Sequence, residues 1–304
     1  MNSSMYDYIA EVVSAENVLL EEPMSRHTTF QVGGPADCFV KVSGEAELTK
    51  LTALFQRVEQ EYFILGNGSN LLVSDLGYKG VILQIKDRMN QISVEGETLK
   101  ARAGALMSAA ARAAMEHELT GLEFASGIPG TIGGGMVMNA GAYDGEMKQV
   151  TAMVTVMNQA GEIMELDNET MKFGYRTSAI KGRPFIVLEA AFQLQKGMKD
   201  QIKGKMDEFA RLRREKQPLS YPSAGSTFKR SANHYAGKLI MDAGLRGRQI
   251  GGARVSDLHC GFVINTGNAT ARDIYELIME VTEIVENKFG VRLEQEVICL
   301  GEFS

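Results

Sequence analysis

Residues 121–145 read GLEFASGIPGTIGGGMVMNAGAYDG, with eight glycines and two charged side chains. Glycine loses more backbone freedom on folding than any other residue. Such a density therefore marks turns at positive φ, or places where bare backbone approaches something closely. A solvated surface loop is the plain alternative. Leu122, Phe124, Ile128, Ile132, Met136, Val137 and Met138 argue against it, because that much apolar surface is unfavourable in water. The stretch reads as a cradle for a phosphate-bearing cofactor.

A second glycine turn lies upstream. The short apolar run YFIL (Tyr62–Leu65) predicts a buried strand that stops at GNGSN, residues 66–70. The two loops together offer many backbone N–H donors to one diphosphate, which makes a dinucleotide the obvious ligand. GNGSNL has only the first two glycines of G-x-G-x-x-G, and the longer loop lacks that spacing. The pattern G-x-x-x-x-G-K-[ST] is also missing, so neither common nucleotide fold is supported.

At 304 residues the chain is long enough for two or three domains. Its net charge is -6, and its one basic cluster is Arg211, Arg213 and Arg214, which argues against nucleic acid or an anionic membrane as partner. No signal peptide is expected at MNSSMYDYIAEVV, and no apolar run approaches the ~18 residues that span a bilayer. Cys38, Cys260 and Cys299 are widely separated and form no C-x-x-C pair. They read as reduced thiols in a cytoplasmic protein, and no metal site is expected.

In chain order, helical spacing of Leu48, Leu51, Leu54, Phe55 and Val58 predicts a helix over residues 45–60. A strand is expected over 81–85, a hairpin over 92–102 around Gly96, and an alanine-rich helix over 106–118. Beyond the glycine stretch, 150–156 and EIMEL form a second hairpin, and FIVLEAAFQL (185–194) a long buried strand. Lys and Gly around 195–200 suggest a boundary, followed by a long helix to Lys216 that Gln217-Pro218 ends. A helix over 235–243, a strand at FVIN and a helix opened by a Thr270-x-x-Asp273 capping box complete the second part. The closing segment VRLEQEVICL (291–300) is expected as a strand, with Val291, Leu293, Val297 and Cys299 on one face and Arg292, Glu294 and Glu296 on the other.

Several side chains admit both a chemical and a structural reading. Ser226 in PSAGSTF sits after a glycine turn that presents its hydroxyl, or is simply a turn residue. His234 and His259 are candidate bases, but G-x-S-x-G is not matched, which disfavours a hydrolase. Arg176 in GYRTS is a carboxylate clamp or a surface arginine. Glu294 and Glu296 on one face would raise a carboxyl pKa unless Arg292 intervenes. His27 and His117 are assigned to structure.

Taken jointly and in order, HTTFQVGGPAD, LGNGSNLLVSD, GIPGTIGGGMVMNAGAY, FGYRTS, YPSAGSTFKR, IGGARVSDLHCGFVIN and LEQEVICLG resemble the UDP-N-acetylenolpyruvoylglucosamine reductase (UDP-N-acetylmuramate dehydrogenase) family over nearly the whole chain. The resemblance implies an α+β protein: a two-part FAD-binding region of vanillyl-alcohol oxidase type plus a smaller α/β substrate-binding domain. It places the two FAD subdomains at 1–88 and 89–199 and the substrate domain at 200–290, with 291–304 returning to the first subdomain. In that family NADPH reduces noncovalent FAD, whose N5 passes hydride to the enolpyruvyl group of UDP-N-acetylglucosamine enolpyruvate in peptidoglycan precursor synthesis. Carried over residue by residue, Arg176 and a protonated Glu296 stabilise an enediolate, and Ser226 delivers a proton. Gly66, Asn67, Gly68, Ser69, Asn70, Ser126, Ile128, Pro129, Gly130, Thr131, Gly133 and Gly134 hold FAD, with 126–134 the contact run. Tyr175, Lys216, Arg213 and His259 face substrate, although a structural role for His259 stands beside that reading. The short segment between Arg176 and Phe185 implies the branch without an inserted tyrosine loop, acting as a monomer. The alternatives are an FAD-dependent alcohol or sugar oxidase of the same fold and a noncatalytic UDP-sugar or flavin-binding protein.

Overall fold

The computed structural model describes residues 3–230 and 234–303. The chain forms two compact units, the first from Met1–Leu19, Cys38–Asn67 and Gly80–Leu212, the second from Leu20–Asp37, Gly68–Lys79 and Arg213–Ser304.

The first unit is built around an antiparallel sheet of five strands, in the order Ile163–Asp167, Thr151–Met157, Ile186–Gln193, Thr98–Arg102, Ile92–Glu95. Its central strand is the most apolar, with Leu188, Ala190 and Phe192 at 0 % exposure, whereas the edge strand Ile163–Asp167 alternates exposed and half-buried residues. Burial on both faces requires the continuous apolar run, and the edge tolerates alternation. Gly96, at φ 61°, turns the hairpin as the sequence suggests. Tyr62–Leu65 pairs in parallel with residues 81–84 in the same unit. The helices of this part of the chain are α1 (Ser3–Val13), α2 (Glu45–Arg57), α3 (Met107–Glu116), α4 (Ile132–Met138) and α5 (Lys199–Lys216). α2 buries Leu48, Leu51, Leu54 and Phe55, as its spacing predicts.

α4 lies inside the glycine stretch and packs on the strands Ile186–Gln193 and Thr98–Arg102. Its glycines serve close approach. A Cβ on Gly133 would lie 3.1 Å from that of Ala103, and one on Gly135 would lie 3.0 Å from Met107 Sδ. After α4 comes a tight hairpin, Gly141–Ala142 with Gly145–Glu146, whose two tip residues Tyr143 and Asp144 have φ of 52° and 63°. Both positive values are those of a type I′ turn. The Tyr143 ring stacks on Phe209 at 4.5 Å.

The second unit centres on α7 (Ala271–Phe289), which buries Ile274, Leu277, Ile278, Val281 and Val285. Thr270 and Asp273 form the expected capping box, and Gly290 at φ 66° ends the helix. The Asp75 carboxylate adds a second cap, accepting from Ala271 N–H and Arg272 N–H at 2.8 Å each. α7 packs on α6 (Ala236–Asp242) and on an antiparallel sheet of Gln249–Ile250, Ala253–Val255 and Val263–Asn265.

The closing strand is shorter than its alternation suggests. Only Ile298–Leu300 is strand, pairing parallel with Leu71–Val73. Residues 291–297 keep part of the alternation, with Leu293 and Val297 buried, but a single bridge at Gln295 to Phe228 is their ladder contact. A strand needs a neighbour along its length, and among the described residues 291–293 has no backbone partner. Arg292 pairs with Glu286 at 3.0 Å and Glu294 with Lys229, so Arg292 does not stand between the two carboxylates.

Candidate active site

Gly66 and Asn67 meet the longer glycine stretch inside the first unit. A Cβ on Gly66 would fall closer to Thr131 Oγ1 than the 3.0 Å that real Cβ atoms keep, so backbone must be bare there. Asn67 Nδ2 donates to Pro129 O at 2.5 Å, fastening one loop to the other. Not every amide in this cradle is available. Ile132 N–H donates to Ala105 O and Gly133 N–H to Ala103 O, both at 2.8 Å, and Ile128 N–H to Ala125 O at 3.1 Å. Gly130, Thr131 and Gly134 have no such backbone acceptor among the described residues, and Gly134 is exposed. Gly133 thus contributes closeness and Gly134 an open donor. Ser126 Oγ donates to Glu123 O at 2.7 Å. The buried Glu123 carboxylate accepts from Thr120 Oγ1 and Gly121 N–H, which fixes the turn entering the run.

Gly68, Ser69 and Asn70 belong to the second unit. Gly68 sits at φ 62° with its carbonyl accepting Thr29 N–H, and Thr29 Oγ1 is a buried hydroxyl with no hydrogen-bond partner among the described residues. Asn70 Nδ2 donates to Glu296 O at 3.0 Å, and Asn70 O accepts from Ile298 N–H.

Arg176 lies in the first unit in a tight turn closed by Gly174 and Thr177, whose amides donate to each other's carbonyls at 3.0 and 3.3 Å. Its φ is 55°, a conformation arginine adopts at a cost. The guanidinium reaches Gly141 O at 3.4 Å and lies 5.3 Å from the Tyr175 ring centre, and Tyr175 is half exposed. Lys181 Nζ donates to Arg176 O at 2.9 Å.

Ser226 and Glu296 lie on two segments that pair within the second unit. Gly225 turns at φ 76°, Ser226 is exposed, and Glu296 N–H donates to the carbonyl of the next residue, Thr227, at 2.8 Å. Thr227 is completely buried. Its N–H donates to Gly261 O, and its hydroxyl accepts Val263 N–H at 2.9 Å. Behind it, His259 Nδ1 accepts Gly261 N–H at 3.1 Å and the ring meets Phe262 edge-on at 4.9 Å. An accepting Nδ1 requires its lone pair, and burial pushes the His259 pKa down, which favours that neutral ring. The histidine therefore buttresses the loop that carries Ser226. Arg213 and Lys216 lie in the last turn of α5, where Arg213 Nε donates to Gln217 at 3.2 Å and Lys216 is exposed. No disulfide joins the three cysteines. Among the described residues no group of His, Cys, Asp or Glu is arranged to hold a metal, and no helix is long and apolar enough to cross a membrane.

Comparison with known proteins decides the family. A reductase from Caldanaerobacter subterraneus described as UDP-N-acetylenolpyruvoylglucosamine reductase is 50% identical over 99% of this chain and 100% of its own. The chain belongs to the UDP-N-acetylenolpyruvoylglucosamine reductase family. A relative of the same description from Clostridioides difficile is 47% identical over 99% of each chain. Residues 36–167 match the family model for an FAD binding domain and 217–300 the one for the UDP-N-acetylenolpyruvoylglucosamine reductase C-terminal domain. Among solved structures, the reductase from Thermus caldophilus superposes with a TM-score of 0.81 at 33% identity, covering 93% of this chain and 98% of that one. An alkyldihydroxyacetonephosphate synthase, at a TM-score of 0.50 and 14% identity over 64% of this chain and 41% of its own, shares the fold alone. The α+β architecture with an FAD-binding region is thereby established, and the family is one of FAD enzymes. The cradle fits that cofactor: bare backbone at Gly66, an open amide at Gly134 and a clasp from Asn67 to Pro129 suit a pyrophosphate.

Proposed function

We propose that this chain reduces UDP-N-acetylglucosamine enolpyruvate to UDP-N-acetylmuramate with NADPH as the hydride donor, a step of peptidoglycan precursor synthesis. Bound FAD supplies the two-electron carrier between NADPH and the enolpyruvyl group. The cradle residues named above hold its pyrophosphate, with Gly66, Asn67, Gly130, Thr131 and Gly134 nearest. We also assign residues 1–88 and 89–199 to the two FAD subdomains and 200–290 to the substrate domain, with 291–304 returning to the first. The protein acts as a cytoplasmic monomer.

The observation that carries this reading is the Glu296 N–H bond to Thr227 O, which pairs Glu296 with the residue next to Ser226. Adding hydride to the terminal enol carbon leaves charge on the neighbouring carbon, and that charge spreads into the attached carboxylate as an enediolate. Donors fixed before the reaction stabilise such a charge better than water that must reorganise. Arg176, held at positive φ, supplies a guanidinium for the carboxylate, and a protonated Glu296 supplies a second donor. Ser226 Oγ gives its proton to the α carbon and regains one from solvent, to which it is exposed. Tyr175, Arg213 and Lys216 face the rest of the substrate, and His259 keeps the serine loop in place.

The test separates the half-reactions. Ser226→Ala should leave flavin bleaching by NADPH intact and slow reoxidation by the enolpyruvyl sugar nucleotide by about 10²–10⁴-fold, the usual worth of a positioned proton donor. Equal damage to both steps overturns the assignment. Peroxide formation without consumption of the sugar nucleotide would instead indicate an oxidase.

A further inference from the structure

Asn139 ends α4 in the left-handed region, at φ 48° and ψ 59°, with its side chain 1% exposed. Asparagine tolerates that conformation without help. Here the side chain does more. Nδ2 donates to Gly174 O and to Glu146 Oε2, both at 3.0 Å, and Oδ1 accepts Lys148 N–H at 2.9 Å. A buried amide with donors and acceptor all engaged ties three segments into one geometry.

One of those segments is the turn of Arg176. Gly174 O, held by Asn139, also accepts Thr177 N–H at 3.3 Å, and Arg176 sits between these two residues at φ 55°. Ser178 Oγ, from the same strand of chain, donates to Val137 O of α4 at 2.8 Å. The turn is therefore fastened to the C-terminal end of a helix whose first residues, Ile132, Gly133 and Gly134, lie in the cofactor cradle. Seven helical residues span roughly 10 Å, a rigid spacer. An arginine at positive φ persists only where its surroundings hold it there.

We propose that Asn139 is a positioning residue for Arg176, carrying the seat of the cofactor cradle through α4 to the guanidinium that meets the substrate carboxylate. The proposal rests on the reading of Arg176 given above. Misplacement by about 1 Å costs about 10²-fold when geometry carries the catalysis.

Asn139→Gly keeps the left-handed backbone and deletes the tether. In purified holoenzyme, flavin content and NADPH bleaching should stay within about twofold of wild type, and reoxidation by the enolpyruvyl sugar nucleotide should slow about 100-fold. In an Arg176→Ala background the same substitution should add no more than about twofold, because what it positions is gone. If Asn139→Gly yields no folded holoenzyme, Ser178→Ala removes the second tie and should slow reoxidation about tenfold, again without further effect in Arg176→Ala. An impaired Arg176→Ala beside an unimpaired Asn139→Gly overturns the positioning role alone. So does equal slowing of both half-reactions, or full additivity in the double variant. An Arg176→Ala protein that reoxidises at the wild-type rate overturns the reading of Arg176, and the proposal with it.

Discussion

Gly66→Ala probes the cradle through a clash that can be relieved. Gly66 is not at positive φ, so alanine's cost there is steric. The new Cβ would overlap Thr131 Oγ1 and lie 3.4 Å from both Cβ and Cγ2 of the same residue. Thr131 is 2% exposed and β-branched, so its hydroxyl cannot simply swing aside. The loops must part, stretching the clasp from Asn67 Nδ2 to Pro129 O. Overpacking of this kind costs about 1–3 kcal/mol. If the whole cost falls on the geometry that FAD selects, affinity drops by roughly 5- to 150-fold, at tenfold per 1.4 kcal/mol. The assay is reconstitution of flavin-stripped protein, followed by quenching of free-flavin fluorescence. Thr131→Ala in the same chain removes Oγ1, leaves only the 3.4 Å contact, and should restore most of the loss. Binding within about twofold of wild type for Gly66→Ala, or no rescue in the double variant, would refute the reasoning.

Gly134→Ala makes the opposite demand: its Cβ would meet only Thr131 Oγ1, at 3.7 Å, so the stripped protein should gain up to about 1 kcal/mol of stability while FAD binds more weakly. Calorimetry of the stripped protein beside FAD titration checks this, and unchanged FAD affinity would remove Gly134 from the cofactor site. Asp75→Ala loses two cap bonds to α7 and should cost about 1–3 kcal/mol in urea unfolding, with half a kcal/mol or less counting against the cap. Burial lowers the folded-state pKa of His259, so the unfolded chain binds the proton more readily. The stability it contributes is present above the ordinary histidine value of about 6.5 and is lost as pH falls through the lower folded value. His259→Asn keeps an acceptor and cannot titrate, and should flatten that acid slope, which denaturation at successive pH values would measure.

Local order was legible wherever one face of an element is buried. The apolar stripe of α7, the run Ile186–Gln193 and the Gly96 hairpin follow from side-chain period and turn chemistry, which the sequence carries locally. The density of glycine in 121–145 and at Gly66 likewise marked where bare backbone packs closely, Gly66 against Thr131 and Gly133 against Ala103. From the residues alone came those locally patterned elements, the two glycine loops and, through the motifs, the family. Tertiary structure decided their use. α4 forms inside the glycine run because Ala103 and Met107 lie close enough to need glycine, and Ile132 and Gly133 spend their amides on Ala105 and Ala103. The closing strand shrinks to Ile298–Leu300 because only that part finds Leu71–Val73 beside it. Asn139 and Asp75 stood inside quoted motifs, but nothing local told that one would hold Gly174 O, 35 residues on, and the other the Ala271 amide, 196 residues on. Period and turn residues report what a segment does with its own neighbours. Which donor meets which acceptor depends on segments far along the chain, and only packing brings those together.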